Sequence, residues 1–292
     1  MPGIRADDGR SGPVAYLTEV IMTLSNIVVS LDASASTPGR VRLACNLARS
    51  FDATLTGVAA QDPLPISIYG KGSYLDSNII EIAAASAKDE ISKQQAVFNE
   101  MTSGYNKAQL RVYDRERLEC MIEECARGDL LVARGLDDGH SGEIVEALSP
   151  AEIILRAGRP VLVTPSEVDD LSLGCAIIAW KDTREARRAV VDALPLLRRA
   201  ERVLLLTVAS AETETNAEAT EAYLKGHDVQ CECVELPETA NVAQAVAGLA
   251  RDTAAGLVVA GAYGHSKMRE LVFGSVTHEL LTSLRTPCLY SH

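Results

Sequence analysis

The sequence predicts an α/β chain made of two tandem domains, each a five-stranded parallel sheet with helices on both faces. Three observations carry that expectation. Short apolar, β-rich runs alternate with longer stretches of helical spacing along the whole chain. Hydrophobic residues make up 47% of the 292 and aromatic residues only 4%, a balance that suits helices packed on a sheet better than a β-sandwich. The order of elements also starts again beyond Gly174, and the length fits two domains of about 150 residues each.

The first half is read in order. Residues 1–24 are expected to be a disordered leader, because Asp7, Asp8 and Gly9 leave no apolar stretch for a secretory signal, and Met22 is the expected start. Ile27 to Leu31 is the first strand. Pro38 then suits the first turn of a helix, whose apolar face is Val41, Ala44, Cys45 and Ala48. Thr54 to Ala59 is a strand, followed by a loop past Gly70 and a long helix from Ile79 to about Met101. Leu110 to Tyr113 is a weak strand, Leu118 to Ala126 a helix, Asp129 to Ala133 a strand, and a further helix reaches Arg156 before the strand Pro160 to Val163. This domain is expected to span 25–165.

Residues 166–174 are polar and turn-forming and are expected to be a linker, with the second domain covering 175–292. Cys175 to Ala179 is a strand. Thr183 to Ala200 is a helix with apolar residues at Ala186, Ala189, Val190, Ala193, Leu196 and Leu197. Val203 to Val208, Val229 to Val234, Leu257 to Ala260 and Pro287 to Tyr290 read as strands. The helices Asn216 to Lys225, Val242 to Ala250 and Ser275 to Leu284 lie between them. Residues repeat as well as elements. Arg159-Pro160-Val-Leu-Val answers Thr286-Pro287-Cys-Leu-Tyr, and Leu130-Leu-Val-Ala133 answers Leu257-Val-Val-Ala260.

One stretch invites a ligand. Gly261-Ala-Tyr-Gly264, then nine residues, then Gly274-Ser275 stands between a buried strand and a helix. Glycines let a backbone approach a ligand, and a helix starting at Gly274–Ser275 presents free N–H groups and a positive dipole end to an anion such as a phosphate. The bland alternative is a set of tight turns with no ligand.

Composition excludes other roles. A formal charge of −12 argues against general affinity for nucleic acid or anionic membrane, and no apolar run is long enough for a membrane span. The seven cysteines are scattered without C-x-x-C spacing, as expected of reduced thiols in a cytoplasmic protein. Cys231 and Cys233 would share a strand face, but no further ligand completes a metal site, and none is expected.

The spacing Gly261-x-x-Gly264-x9-Gly274-Ser275 resembles the nucleotide-binding motif of universal stress proteins. Ala262-Tyr-Gly-His-Ser266 with Arg269-Glu-Leu271, and Ala179-Trp-Lys181 with Arg184-Glu-Ala-Arg-Arg-Ala189, are similar to the proteobacterial branch of that family. The resemblance runs from about Asn26 to His292. It implies a tandem protein whose domains are Rossmann-like and similar to adenine nucleotide alpha hydrolases. It further implies that ATP, accompanied by Mg²⁺ where a metal is used, binds at the carboxyl ends of the second domain's strands, where ligands also belong on general grounds. Carried over position by position, Gly261, Gly264, Gly274 and Ser275 would line the phosphates, with Val276 and Thr277 continuing the contact, and Ala260 would also belong to the nucleotide site. Ala179 and Val208 would border the base, and Thr183 would lie near the ribose. Lys181 departs from the family's pattern, which places an aspartate there, and Asp182 follows it. Lysine can pair with a phosphate but cannot accept a hydrogen bond.

The first half has the reverse defect. It keeps Asp32 and Ser34 after its first strand, but Gly139-His140-Ser141 echoes the glycine loop only faintly, and Ala147 and Leu148 stand where Gly274 and Ser275 do. It is expected to be nucleotide-free. His265 is read as a loop residue with no nucleophile beside it, Lys267 and Arg269 as a solvated face, and Trp180 as a packing residue at a strand end. Arg184, Glu185, Arg187 and Arg188 read as a charged helix face, with Arg184 and Arg187 repelling and Glu185 and Arg188 attracting at i, i+3, rather than as a binding site. In the family, domains pair through edge strands, so Pro160 to Val163 and Pro287 to Tyr290 are expected to pair, within one chain as a pseudo-dimer or between chains as a homodimer. The leading expectation is a stress-response protein that binds an adenine nucleotide and acts through conformation or protein partners. The rivals are a slow ATP-hydrolysing or phosphoryl- or adenylyl-transferring enzyme, and a nucleotide-free interaction module.

Overall fold

The computed structural model describes residues 23–61, 77–136, 148–209, 215–238, 241–264 and 275–292. Residues 1–22 of the expected leader, Gly139 to Ser141, Ala147 and the whole span from His265 to Gly274 lie outside the described residues, while Leu24, expected in the leader, is buried in the core.

The strands are β1 (Asn26–Ser30), β2 (Thr54–Ala60), β3 (Ala108–Tyr113), β4 (Leu130–Arg134) and β5 (Val161–Thr164), then β6 (Ala176–Ala179), β7 (Val203–Val208), β8 (Glu232–Leu236), β9 (Leu257–Gly261) and β10 (Cys288–Ser291). The helices are α1 (Thr37–Phe51), α2 (Ser77–Met101), α3 (Arg117–Cys125), α4 (Pro150–Arg156), α5 (Arg184–Leu197), α6 (Ala217–Gly226), α7 (Val242–Asp252) and α8 (Ser275–Ser283). All ten expected strands form, within a few residues of their expected ends. Val229 is the main exception. Its N–H closes the turn after α6 by donating to Leu224 O at 3.0 Å, and it is buried there, so β8 starts three residues later than expected and Cys231 falls just before it.

The strands join into one ten-stranded sheet in the order β3-β2-β1-β4-β5-β10-β9-β6-β7-β8. Each half is parallel, with the order 3-2-1-4-5 in its own numbering, and the halves meet where β5 and β10 pair antiparallel, Leu162 opposite Leu289. The expected edge-strand pairing is therefore made inside one chain. It removes two exposed strand edges at once, each of which would otherwise invite another chain.

One apolar layer lies on each face. Residues of α1, α2, α5 and α6 cover one face around Val29, Leu55, Ile178 and Leu205. The other, around Val28, Leu131, Ile177 and Val258, is covered by residues of α3, α4, α7 and α8. Successive residues such as Val28 and Val29 point to opposite layers, so a strand covered on both sides is apolar throughout. The expected linker is packed rather than loose. Asp169 pairs with Arg42 at 2.6 Å, Asn46 donates to Asp170 at 3.2 Å, and Leu171 and Leu173 pack against the core. Arg199 of the second half reaches back to the first, its guanidinium 3.4 Å from the centre of the Phe51 ring and donating to Ser50 O at 2.8 Å.

Candidate functional site

In the second half β6 leads outward to β7, while β9 pairs on its other side, so the chain reverses its direction of winding between β6 and β9. Crevices beyond the carboxyl ends of strands at such a point are where open α/β sheets bind ligands. Ala179 lies beside Ala260 on β9 and Leu206 on β7, with Val208 two residues further along, so parallel pairing brings Ala179, Val208, Ala260 and Gly261 to one edge. Lys181 is exposed just beyond it. Ser275 begins α8, Val276 is exposed and Thr277 is buried, so these two neighbours face different surroundings.

The two described glycines of the motif have local reasons. A Cβ on Gly261 would sit 2.7 Å from Glu185 C and 2.8 Å from Ala186 Cα, because the first turn of α5 rests directly on the end of β9. Those are backbone atoms and cannot swing aside. At Gly264 the space is held by a side chain: a Cβ there would lie 2.7 Å from Glu185 Oε2 and 3.5 Å from Thr183 Oγ1. Between them, Tyr263 has a φ of 59°, a backbone cost for a non-glycine residue, and its ring is buried, which pushes its hydroxyl up to about 12.

Glu185 departs from the expected charged helix face. It is 3% exposed, and the Arg184 guanidinium holds its Oε1 at 2.7 Å. Burial raises the pKa of this carboxyl, but its own backbone N–H, Arg184 and the Thr183 hydroxyl outweigh burial and hold it below the ordinary range. The acid thus takes the anion-favouring place at the α5 N-terminus. Thr183 caps that helix, accepting from the Ala186 N–H at 3.2 Å, so the residue expected near a ribose already has a structural task. Arg187 and Arg188 are exposed, as a charged helix face implies, and each has a partner outside Glu185. The first pairs with Asp182, and the second reaches Gly158 O at 3.3 Å and Asp192 at 3.8 Å.

The first half solves the same turn differently. Counting from the strand ends, Asp32 stands where Lys181 stands, Ser34 where Thr183 does and Ser36 where Glu185 does. Asp32 accepts from the Ser34 N–H at 2.9 Å, the Ser34 and Thr37 hydroxyls, and Arg40 Nη2 at 2.9 Å. Arg40 is 1% exposed and also donates to Ser30 O. Burial opposes ionisation of Asp32, yet Arg40 and these hydrogen bonds hold its carboxyl far below the usual range. Each half therefore holds one carboxylate where its first helix begins, half-buried on the turn in one case and buried in the helix in the other, and pins it with an arginine.

Sequence reading missed the buried position of Glu185. An acid two residues after a threonine cap is a standard first-turn residue, and nothing in the spacing distinguishes an exposed one from one folded against a glycine. Among the described residues no group of three or more His, Cys, Asp or Glu is placed to hold a metal, and no helix is long and apolar enough to cross a membrane.

No family model and no curated protein matches the sequence. Solved structures do match. A universal stress protein from Archaeoglobus fulgidus superimposes with a TM-score of 0.65 at 12% identity, covering 91% of this chain and 97% of that one. A functionally unknown protein from Pseudomonas aeruginosa gives a TM-score of 0.54 at 14% identity, covering 92% of each chain. With the same elements running through both halves, this chain has the fold of a universal stress protein over nearly its whole length.

Proposed function

We propose that the chain is a universal stress protein whose second half binds ATP or a related adenine nucleotide at the β6/β9 switch point, in a regulatory rather than a catalytic role. One observation carries the reading. The half that keeps Gly261-x-x-Gly264-x9-Gly274-Ser275 in its sequence also has Ala179, Val208 and Ala260 at one sheet edge, with a lysine exposed beside it. The α8 N-terminus and Lys181 would take the phosphates, while Ala179 and Val208 would border the base. Gly261 and Gly264 serve the site indirectly, by letting α5 and Glu185 close against β9. For the first half no nucleotide is proposed: among its described residues, the donors around Asp32 are already engaged with it and with one another.

Calorimetric titration with ATP tests this. Wild type is expected to bind with an affinity in the micromolar range, and Gly274→Val to lose it. No heat at millimolar ATP, with both proteins alike, refutes the reading.

A second reading, a nucleotide-free interaction module, is favoured by one specific observation: the Glu185 carboxylate fills the space beside Gly264 and presents a negative charge there. Mass spectrometry of small molecules released from freshly purified, denatured protein separates the two readings. Stoichiometric adenine nucleotide excludes the second.

A further inference from the structure

In the first half α1 and α2 pack along each other, and α7 packs on α8, whereas α5 and α6 scarcely approach. The cause is length. α2 has 25 residues and α6 only 10, so they span about 37 Å and 15 Å at the helical rise of roughly 1.5 Å per residue. α6 buries only Thr220 and Leu224, and it leaves the outer flank of α5 partly uncovered. The result is a groove of about 320 Å³ at the carboxyl edge of β6, with an apolar wall of Trp180, Val190, Val191, Ala219 and Tyr223. None of the residues assigned to the nucleotide lines it.

We propose that this groove binds a small molecule with an apolar body and a single carboxylate. Its volume lies in the range of small-ligand sites, and its lining combines aromatic and aliphatic walls with a few polar groups at one end. The Trp180 indole N–H is satisfied by Thr215 O at 2.7 Å, which leaves the ring as apolar wall. At the rim both oxygens of Asp182 are engaged, Oδ1 by Arg187 and Oδ2 by Asn216 Nδ2 at 2.6 Å. Each oxygen of that carboxylate has a partner, and it ties α5 to the N-cap of α6. Arg187 is 63% exposed and has five N–H donors, so it keeps donors to spare at the mouth. An occupant therefore does best by bringing an acceptor, and a carboxylate meets the guanidinium with matched charge.

Trp180 is the only tryptophan in the chain, so its emission reports on this groove alone. The test titrates the full chain with octanoate and with octanol, which share an apolar body and differ in charge, and follows tryptophan emission. Octanoate is expected to give a saturable shift and to bind more tightly than octanol. Arg187→Ala should weaken octanoate about three- to fivefold, as for a partly exposed charge pair, while leaving octanol unchanged. Ala219→Phe should fill the groove and remove both responses at an unchanged melting temperature. Excess ATP should leave octanoate bound. No saturable shift, equal octanoate binding by wild type and Arg187→Ala, or displacement of octanoate by ATP would each overturn the proposal.

Discussion

Replacing Gly261 with alanine asks whether that glycine serves packing or a ligand. The new methyl group would lie 2.7 Å from Glu185 C and 2.8 Å from Ala186 Cα, well inside van der Waals contact. Relief requires the first turn of α5 to lift from β9. That turn carries the Thr183 cap and the buried Glu185, and α5 goes on to bury Ala189, Val190, Ala193, Leu194, Leu196 and Leu197. Overpacking of this kind costs about 1–3 kcal/mol, and the clash with backbone places Gly261→Ala in the upper half, at about 2–3 kcal/mol. For a chain of this size that lowers the melting temperature by roughly 4–10 °C. Gly264→Ala meets a carboxylate oxygen at the end of a side chain able to rotate, so its cost should be about 1 kcal/mol and should vanish in a Glu185→Ala background. Thermal melts without nucleotide are the assay. A Gly261→Ala melting temperature equal to wild type, or a Gly264→Ala cost that persists without Glu185, would refute the packing account and return both glycines to a ligand role.

Asp32→Asn should cost about 3 kcal/mol in urea titrations at neutral pH, because Arg40 is left buried opposite a neutral amide. The folded Asp32 carboxyl is depressed below its unfolded value of about 3.9, so its stabilisation is fully present above that value and is lost as pH falls from there towards the folded one. The variant should consequently show a shallower loss of stability with acid, and an unchanged acid limb would count against the Arg40 pairing. Thiol titration of the native protein should label Cys233 first and Cys231 slowly, since burial pushes the latter up to about 11. Cys45, Cys120, Cys125, Cys175 and Cys288 should react only on unfolding. Rapid labelling of more than two thiols in the native state would contradict the packing of both apolar layers.

What the sequence determined by itself was the secondary structure and its double occurrence. Buried parallel strands are apolar at every position, as in Ile27-Val28-Val29 and Leu257-Val258-Val259, and the helices between them carry one apolar stripe, so local pattern suffices. It also led to the sheet edge where Ala179, Val208 and Ala260 converge, because parallel strands must bring their ends together. Only the tertiary structure decided that Gly261 answers to the backbone of α5 and Gly264 to the carboxylate of Glu185. It alone showed that the carboxylate held on the turn at Asp32 reappears inside the helix at Glu185, and that a short α6 leaves a groove beside Trp180. A glycine records that something comes close, without recording whether it is a ligand or another part of the chain. That depends on contacts between residues about 75 positions apart, and no local spacing encodes them.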